Sequence, residues 1–171
     1  MRYEELIKDK KVLLIGSGED LNGRALNDRI SAQDCEWDYI ARINHHFGDI
    51  ADVGRRMDIC FVARREYANW YFHTAVKHGP GLIVAFRDGC ACDRNYRESV
   101  AKKLDMGERV SSGLAAVHWL LEHGAKVDVI GFGKKDSTEK RYPDGKVDNV
   151  GQYDWTAERL WIESQPGVTM L

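Results

Sequence analysis

The chain has 171 residues and a formal net charge of −2, with 43% hydrophobic and 30% charged residues. That length fits one domain, residues 1–171, with a sizeable core, and the charge balance gives no strong nucleic-acid signal and no attraction to an acidic membrane. No apolar run reaches the ~18–20 residues that cross a bilayer, and MRYEELIKDKK lacks an apolar signal-peptide core, so a cytoplasmic protein is expected.

The first ten residues read as a short amphipathic helix or arm, with Tyr3, Leu6 and Ile7 on one side. Val12 to Ile15 is a continuous apolar run, which suits a strand buried on both faces. Gly16-Ser17-Gly18 breaks it, and two glycines permit a sharp turn and a close approach of a ligand to the backbone. Leu21 to Ile30 has helical spacing, with Leu21, Ala25, Leu26 and Ile30 on one face. Strand, glycine turn and helix together aim backbone N–H groups at an anion. A dinucleotide fingerprint would need a third glycine, which GSGEDL lacks, so a phosphate site and a structural turn both remain open here.

Trp37 to Ile43 is aromatic and β-branched and predicts a strand ending at Asn44, with His45 to Gly54 as loop. Met57 to Val62 predicts a third strand, Glu66 to His78 a helix stopped by Gly79-Pro80-Gly81, and Leu82 to Phe86 a buried strand. Arg87 to Arg94 is a polar loop, and Asn95 to Leu104 has helical character. Ser111-Ser112-Gly113 opens an apolar helix over Leu114 to His123, which Gly124 ends. Val127 to Phe132 predicts a strand closed by Gly131-Phe132-Gly133. A polar loop of about 20 residues follows, long enough to suggest a function. Tyr153 to Ile162 predicts a last helix and Val168 to Leu171 a last strand.

This alternation predicts an α/β, single-domain, mostly parallel sheet flanked by helices. Ligands sit at the carboxyl ends of such strands, a rule that gathers Gly16–Gly18, Asn44, Ser111–Gly113 and the loop after Gly131. The four cysteines, Cys35, Cys60, Cys90 and Cys92, form no disulfide framework in a chain this long. Cys90-Ala91-Cys92 lacks the second, spaced ligand pair of a zinc site, so reduced thiols and no metal are expected.

Three segments together resemble one family. Ile15-Gly16-Ser17-Gly18 with Leu21-x-Gly23, then Asp38-Tyr39-Ile40-Ala41-Arg42-Ile43-Asn44, then Asp52-Val53-Gly54 follow the large sialyl motif of the sialyltransferases, family 29 of the glycosyltransferases. Ser111-Ser112-Gly113 with Val127 to Phe132 is similar to their small motif. Tyr153, with Asp154 and Glu158 after it, stands where their very small motif has histidine. The resemblance spans about residues 11–171, and the R-x-N followed by D-V-G is its most specific part.

The resemblance implies a Rossmann-like variant of the GT-A fold. It also implies a CMP-activated donor such as CMP-sialic acid, an acceptor hydroxyl, inversion at the anomeric carbon, and no metal or other cofactor. It suggests a short, cytoplasmic, bacterial- or phage-like member. The departures are specific. The asparagine of the family's G-N-S-G is missing, the cysteine pair of secreted members is absent, and Tyr153 replaces the histidine that serves as general base. A phenol, with an ordinary pKa of about 10, is a poor base at neutral pH.

The candidate catalytic residues are therefore Asp154, Tyr153, His45 and His46, and the candidate substrate-binding residues are Gly16, Ser17, Gly18, Asn44, Ser111, Ser112, Gly113 and Tyr142. Ser111 and Ser112 suit helix capping and phosphate binding equally, because both use the same helix end. Asp154 suits a base for the acceptor hydroxyl or a cap of the last helix, and Glu158 an orienting group for that helix. Arg42 and His118 read as structural, and Asp52 as fixing its turn. Lys140 and Arg141 lie in the long loop, where the resemblance places phosphate-meeting groups and where a solvated charge run is equally natural. The alternative function is a CMP- or nucleotide-binding protein, or a hydrolase of a nucleotide or nucleotide-sugar glycosidic bond; a third is a structural domain without ligand.

Overall fold

The computed structural model describes residues 3–44, 54–63, 81–86, 95–133, 140–141, 147–148 and 153–171. In chain order these form α1 (Tyr3–Ile7), β1 (Lys11–Ile15), α2 (Leu26–Ser31), β2 (Tyr39–Ile43), β3 (Ile59–Val62), β4 (Leu82–Ala85), α3 (Tyr96–Leu104), α4 (Ser112–Glu122), β5 (Lys126–Ile130), β6 (Lys140–Arg141), β7 (Val147–Asp148), α5 (Trp155–Ser164) and β8 (Val168–Met170). Six strands make one sheet in the order β4-β3-β2-β1-β5-β8, and every pairing is parallel. β6 and β7 pair antiparallel inside the stretch expected to be loop.

β1 lies at the sheet's centre, between β2 and β5. Its residues Val12, Leu13 and Leu14 are fully buried, as an apolar run covered on both faces should be. Val12 and Leu14 join the larger core with α4, while Leu13 and Ile15 face Leu21, Leu26, Ile30 and Trp37. α4 buries Leu114, Ala115, Ala116, Val117, Trp119 and Leu120, so it is apolar nearly all round. Each such Leu or Val contributes roughly 1.5–3 kcal/mol by leaving water. The chain steps from β1 through β2 and β3 to β4, then returns to β5 on the other side of β1. That reversal puts the topological switch point at the carboxyl ends of β1 and β5.

Two local expectations change. Leu21 to Ile30 is not one helix: a 3₁₀ turn covers Glu19–Leu21, Ala25 takes a left-handed φ of 48°, and α2 begins only at Leu26. Trp37 precedes β2 instead of starting it, buried with its indole N–H on Asp128 Oδ2 at 2.8 Å. The helix expected over Glu66 to His78, and the loop carrying Cys90 and Cys92, lie outside the described residues. Among the described residues no helix is long and apolar enough to cross a membrane.

Candidate functional site

The Gly16-Ser17-Gly18 turn packs on the loop that leaves β5. Gly16 N–H donates to Ile130 O at 2.8 Å and Gly18 N–H to Gly131 O at 2.7 Å. A Cβ at either glycine would collide with the Gly131 carbonyl. The close approach that these glycines permit is therefore made by the chain's own neighbouring loop, and both amides are engaged there. Ser17 between them is buried. Asp20 completes the clamp: its carboxylate accepts from Gly131 N–H at 3.1 Å and Gly133 N–H at 3.0 Å. Sequence reasoning passed over Asp20. A carboxylate two residues after a glycine turn was its only signal.

Asn44 ends β2 at a left-handed φ of 51°. Its amide donates to Phe61 O at 2.8 Å, and its Oδ1 accepts from Ala63 N–H at 3.2 Å, which ties the ends of β2 and β3 together. Arg42 is buried, with Nε on Arg56 O at 3.0 Å and Nη2 on Gly54 O at 3.2 Å. Burial pushes its pKa down to about 10, against the pull of Cys60 and Asp58. These contacts fit the structural reading of Arg42. Beside it, burial pushes the Cys60 thiol up to about 12, so Cys60 is no nucleophile at neutral pH.

Ser111 caps α4, its Oγ accepting from Leu114 N–H at 3.1 Å. The Ser111 amide donates to Glu158 Oε1 at 2.7 Å. Gly113 lies against the Phe132 ring, where a Cβ would press into Cε1 at 2.9 Å. Asp154 caps α5, accepting from Ala157 N–H at 2.9 Å. Tyr153 meets Arg97, whose Nη2 donates to the phenol oxygen at 2.6 Å and whose Nε donates to Val110 O at 2.7 Å. Arg97 and Arg109 both lie over the Tyr153 ring, 5.3 and 5.8 Å from its centroid, and Trp155 meets the ring edge-on at 5.0 Å.

Continuous contacts thus run from Gly16–Gly18 through Gly131–Gly133 and Phe132 to Ser111–Gly113, and on through Glu158 and Arg97 to Tyr153 and Asp154. Arg159 adds a bond to the Gly133 carbonyl. A cavity of about 600 Å³ opens beside this end, lined by Asp105, Met106, Gly107, Glu108 and the stretch from Tyr153 to Glu158. Asn44 stands at the same carboxyl edge, two strands from β5. His45, His46, Asp52 and Tyr142 lie outside the described residues, as do the side chains of Lys140 and Arg141. His118 packs away from these groups: it is 5% exposed, and its Nδ1 meets Tyr96 Oη at 2.8 Å.

The sequence matches no protein-family model and no curated protein. Solved structures do match it in fold. A mammalian sialyltransferase, crystallised with Gal-beta-1-3GalNAc-ortho-nitrophenol, aligns over 99% of this chain and 71% of its own, with a TM-score of 0.59 and 14% identity. A second mammalian sialyltransferase structure aligns over the same shares with a TM-score of 0.60 and 16% identity. The chain is similar to both in fold, its own architecture being one parallel six-stranded α/β sheet flanked by helices.

Proposed function

We propose that this chain is a cytoplasmic glycosyltransferase that moves a sialic-acid-like sugar from a CMP-activated donor to an acceptor hydroxyl, with inversion and without a metal or other cofactor. The supporting observation is the junction of α4 and α5, where Ser111–Gly113 and Tyr153 are tied together by Arg97 and Glu158. The fold likeness to sialyltransferases and the order of motifs point the same way.

In this reading the donor phosphate lies at the N-terminus of α4. Glu158 takes the amide of Ser111, and the Ser111 hydroxyl takes that of Leu114. The amides of Ser112 and Gly113, in the first turn and without intrahelical partners, are left for phosphate oxygens. Such preorganised donors stabilise the charge that grows on the CMP leaving group as the glycosidic bond breaks. Tyr153 donates its hydroxyl proton to the same phosphate, and Tyr142 joins it from the long loop. Ser17 and Asn44 contact the nucleoside at the ends of β1 and β2. The acceptor enters the cavity beside Asp154, which takes the acceptor's proton, with His45 and His46 as the remaining candidates for that step.

One observation favours a second reading, a CMP-binding protein or a hydrolase of the donor. Both groups at the base position are already engaged as acceptors: Tyr153 Oη by Arg97, and Asp154 Oδ1 by Ala157 N–H. Incubation with CMP-sialic acid in EDTA, with and without a galactose-terminated acceptor, separates the readings. Transfer predicts acceptor-dependent CMP release and a glycosylated product. CMP release with no product at any acceptor supports hydrolysis, and no release at all supports binding alone.

A further inference from the structure

Among the described residues, Arg97 bonds neutral acceptors. Its Nε bonds the Val110 carbonyl, its Nη2 bonds the Tyr153 phenol oxygen, and its face lies on the Tyr153 ring. A guanidinium carries five donors and a full charge, and inside a protein it is ordinarily matched by a carboxylate or phosphate. The phenol is equally one-sided. Its oxygen accepts from Arg97, so its own proton points elsewhere, and among the described residues that proton has no acceptor. Tyr153 lines the cavity, and Val110 immediately precedes the Ser111 cap of α4. Two carboxylates of the same cavity lining are already committed, Asp154 to the first turn of α5 and Glu158 to the Ser111 amide.

We infer that Arg97 is a positioning residue that acts through Tyr153: it holds the phenol against the N-terminus of α4 and polarises its O–H toward an anion bound there. The inference rests on the reading above that this anion is the donor phosphate. The charge of Arg97 reaches the anion along one hydrogen-bond chain, guanidinium to phenol oxygen and phenol proton to phosphate oxygen, without contact between Arg97 and ligand. Hydrogen bonds that polarise one another in a site of low dielectric are worth more together than apart. Lysine cannot replace Arg97, since one ammonium has no fixed fork to span both Val110 O and Tyr153 Oη.

Calorimetric titration with CMP tests this on wild type, Arg97→Met, Arg97→Lys, Tyr153→Phe and the Arg97→Met/Tyr153→Phe double variant, with a ligand-free thermal melt of each to establish that it is folded. The expected result is that each single change weakens CMP binding roughly tenfold, the size of one charge-assisted hydrogen bond. The double variant should be no weaker than either single, and Arg97→Lys should not rescue. Wild-type affinity in Arg97→Met overturns the inference, and so does an Arg97→Met effect that multiplies with Tyr153→Phe to about a hundredfold, the product of two independent sites. If Arg97→Met does not fold, the same comparison runs on Arg97→Lys with Tyr153→Phe. Should wild type bind no CMP at all, the donor-phosphate reading falls and the inference with it. Tight wild-type binding with uncoupled variants overturns the inference alone.

Discussion

Glu158 Oε1 accepts the Ser111 amide at 2.7 Å, and both residues are about 5% exposed. A carboxylate in the first turn of α5 thereby serves the N-terminus of α4, where the helix dipole favours negative charge. Glu158→Ala leaves a buried donor unsatisfied, and a loss of ~1.5–3 kcal/mol is expected in urea unfolding. A variant within about 0.5 kcal/mol of wild type would mean that this bond does not join the two helices.

At the switch point, Gly16→Ala pushes a methyl into the Gly131 carbonyl, which is backbone and cannot swing aside. The expected cost is ~1–3 kcal/mol, as for other overpacked sites. A lowered unfolding midpoint with an unchanged denaturant slope is the signature. An unchanged midpoint would mean that the loops after β1 and β5 are not in contact.

His118 sets a pH dependence. Burial, helped by the Lys103 ammonium, holds its imidazole below the ordinary 6.5 and outweighs the upward pull of Glu122. The other groups facing it are Tyr96, whose hydroxyl also reaches Glu122 Oε2 at 2.8 Å, and the Trp161 ring. The unfolded chain therefore binds this proton more readily than the folded one. Stability from His118 is complete above pH 6.5 and falls as the pH drops through that value toward the lower folded one. Glu36, Asp38 and Glu122, held below the ordinary carboxylate range, lose their contributions only at lower pH. The unfolding midpoint should decline as the pH falls below the ordinary 6.5, and His118→Gln should flatten that decline. An identical decline in the variant assigns it to other groups.

Asp154 carries two readings that one pair of substitutions separates. Asparagine caps a helix about as well as aspartate, whereas alanine costs ~1 kcal/mol. Asp154→Asn should therefore keep the fold and CMP binding. If Asp154 is the base, turnover of a CMP-sugar should fall by about 10²–10⁴. Near-normal turnover in Asp154→Asn moves the proton transfer to His45 or His46.

The sheet was legible because its strands are short apolar runs bounded by glycine and polar breaks. Val12 to Ile15 and Leu82 to Phe86 announce burial on both faces, and the α4 cap was readable in Ser111. The stretch from Leu21 to Ile30 misled for a physical reason. Leu21, Leu26 and Ile30 do share one surface, but it is a single core cluster reached by a turn and a short helix. Spacing reports which residues meet the core, and Gly23 at φ 76° with Ala25 at 48° breaks the helix between them. Tyr153 and Asp154 could be singled out by position in a motif. The groups that hold the site together could not: Arg97 meets Tyr153 across 56 residues, and Asp20 meets Gly131 and Gly133 across 111 and 113, which no local pattern encodes.

The proposed CMP site at the carboxyl edge of this sheet should make thermal stability depend on nucleotide. A ligand that binds only the folded chain stabilises it by mass action, about 1.4 kcal/mol at a tenfold excess over Kd. CMP should raise the melting temperature, and UMP, AMP and GMP at the same millimolar concentration should raise it less. A melting temperature unmoved by all four would mean that no such nucleotide site exists.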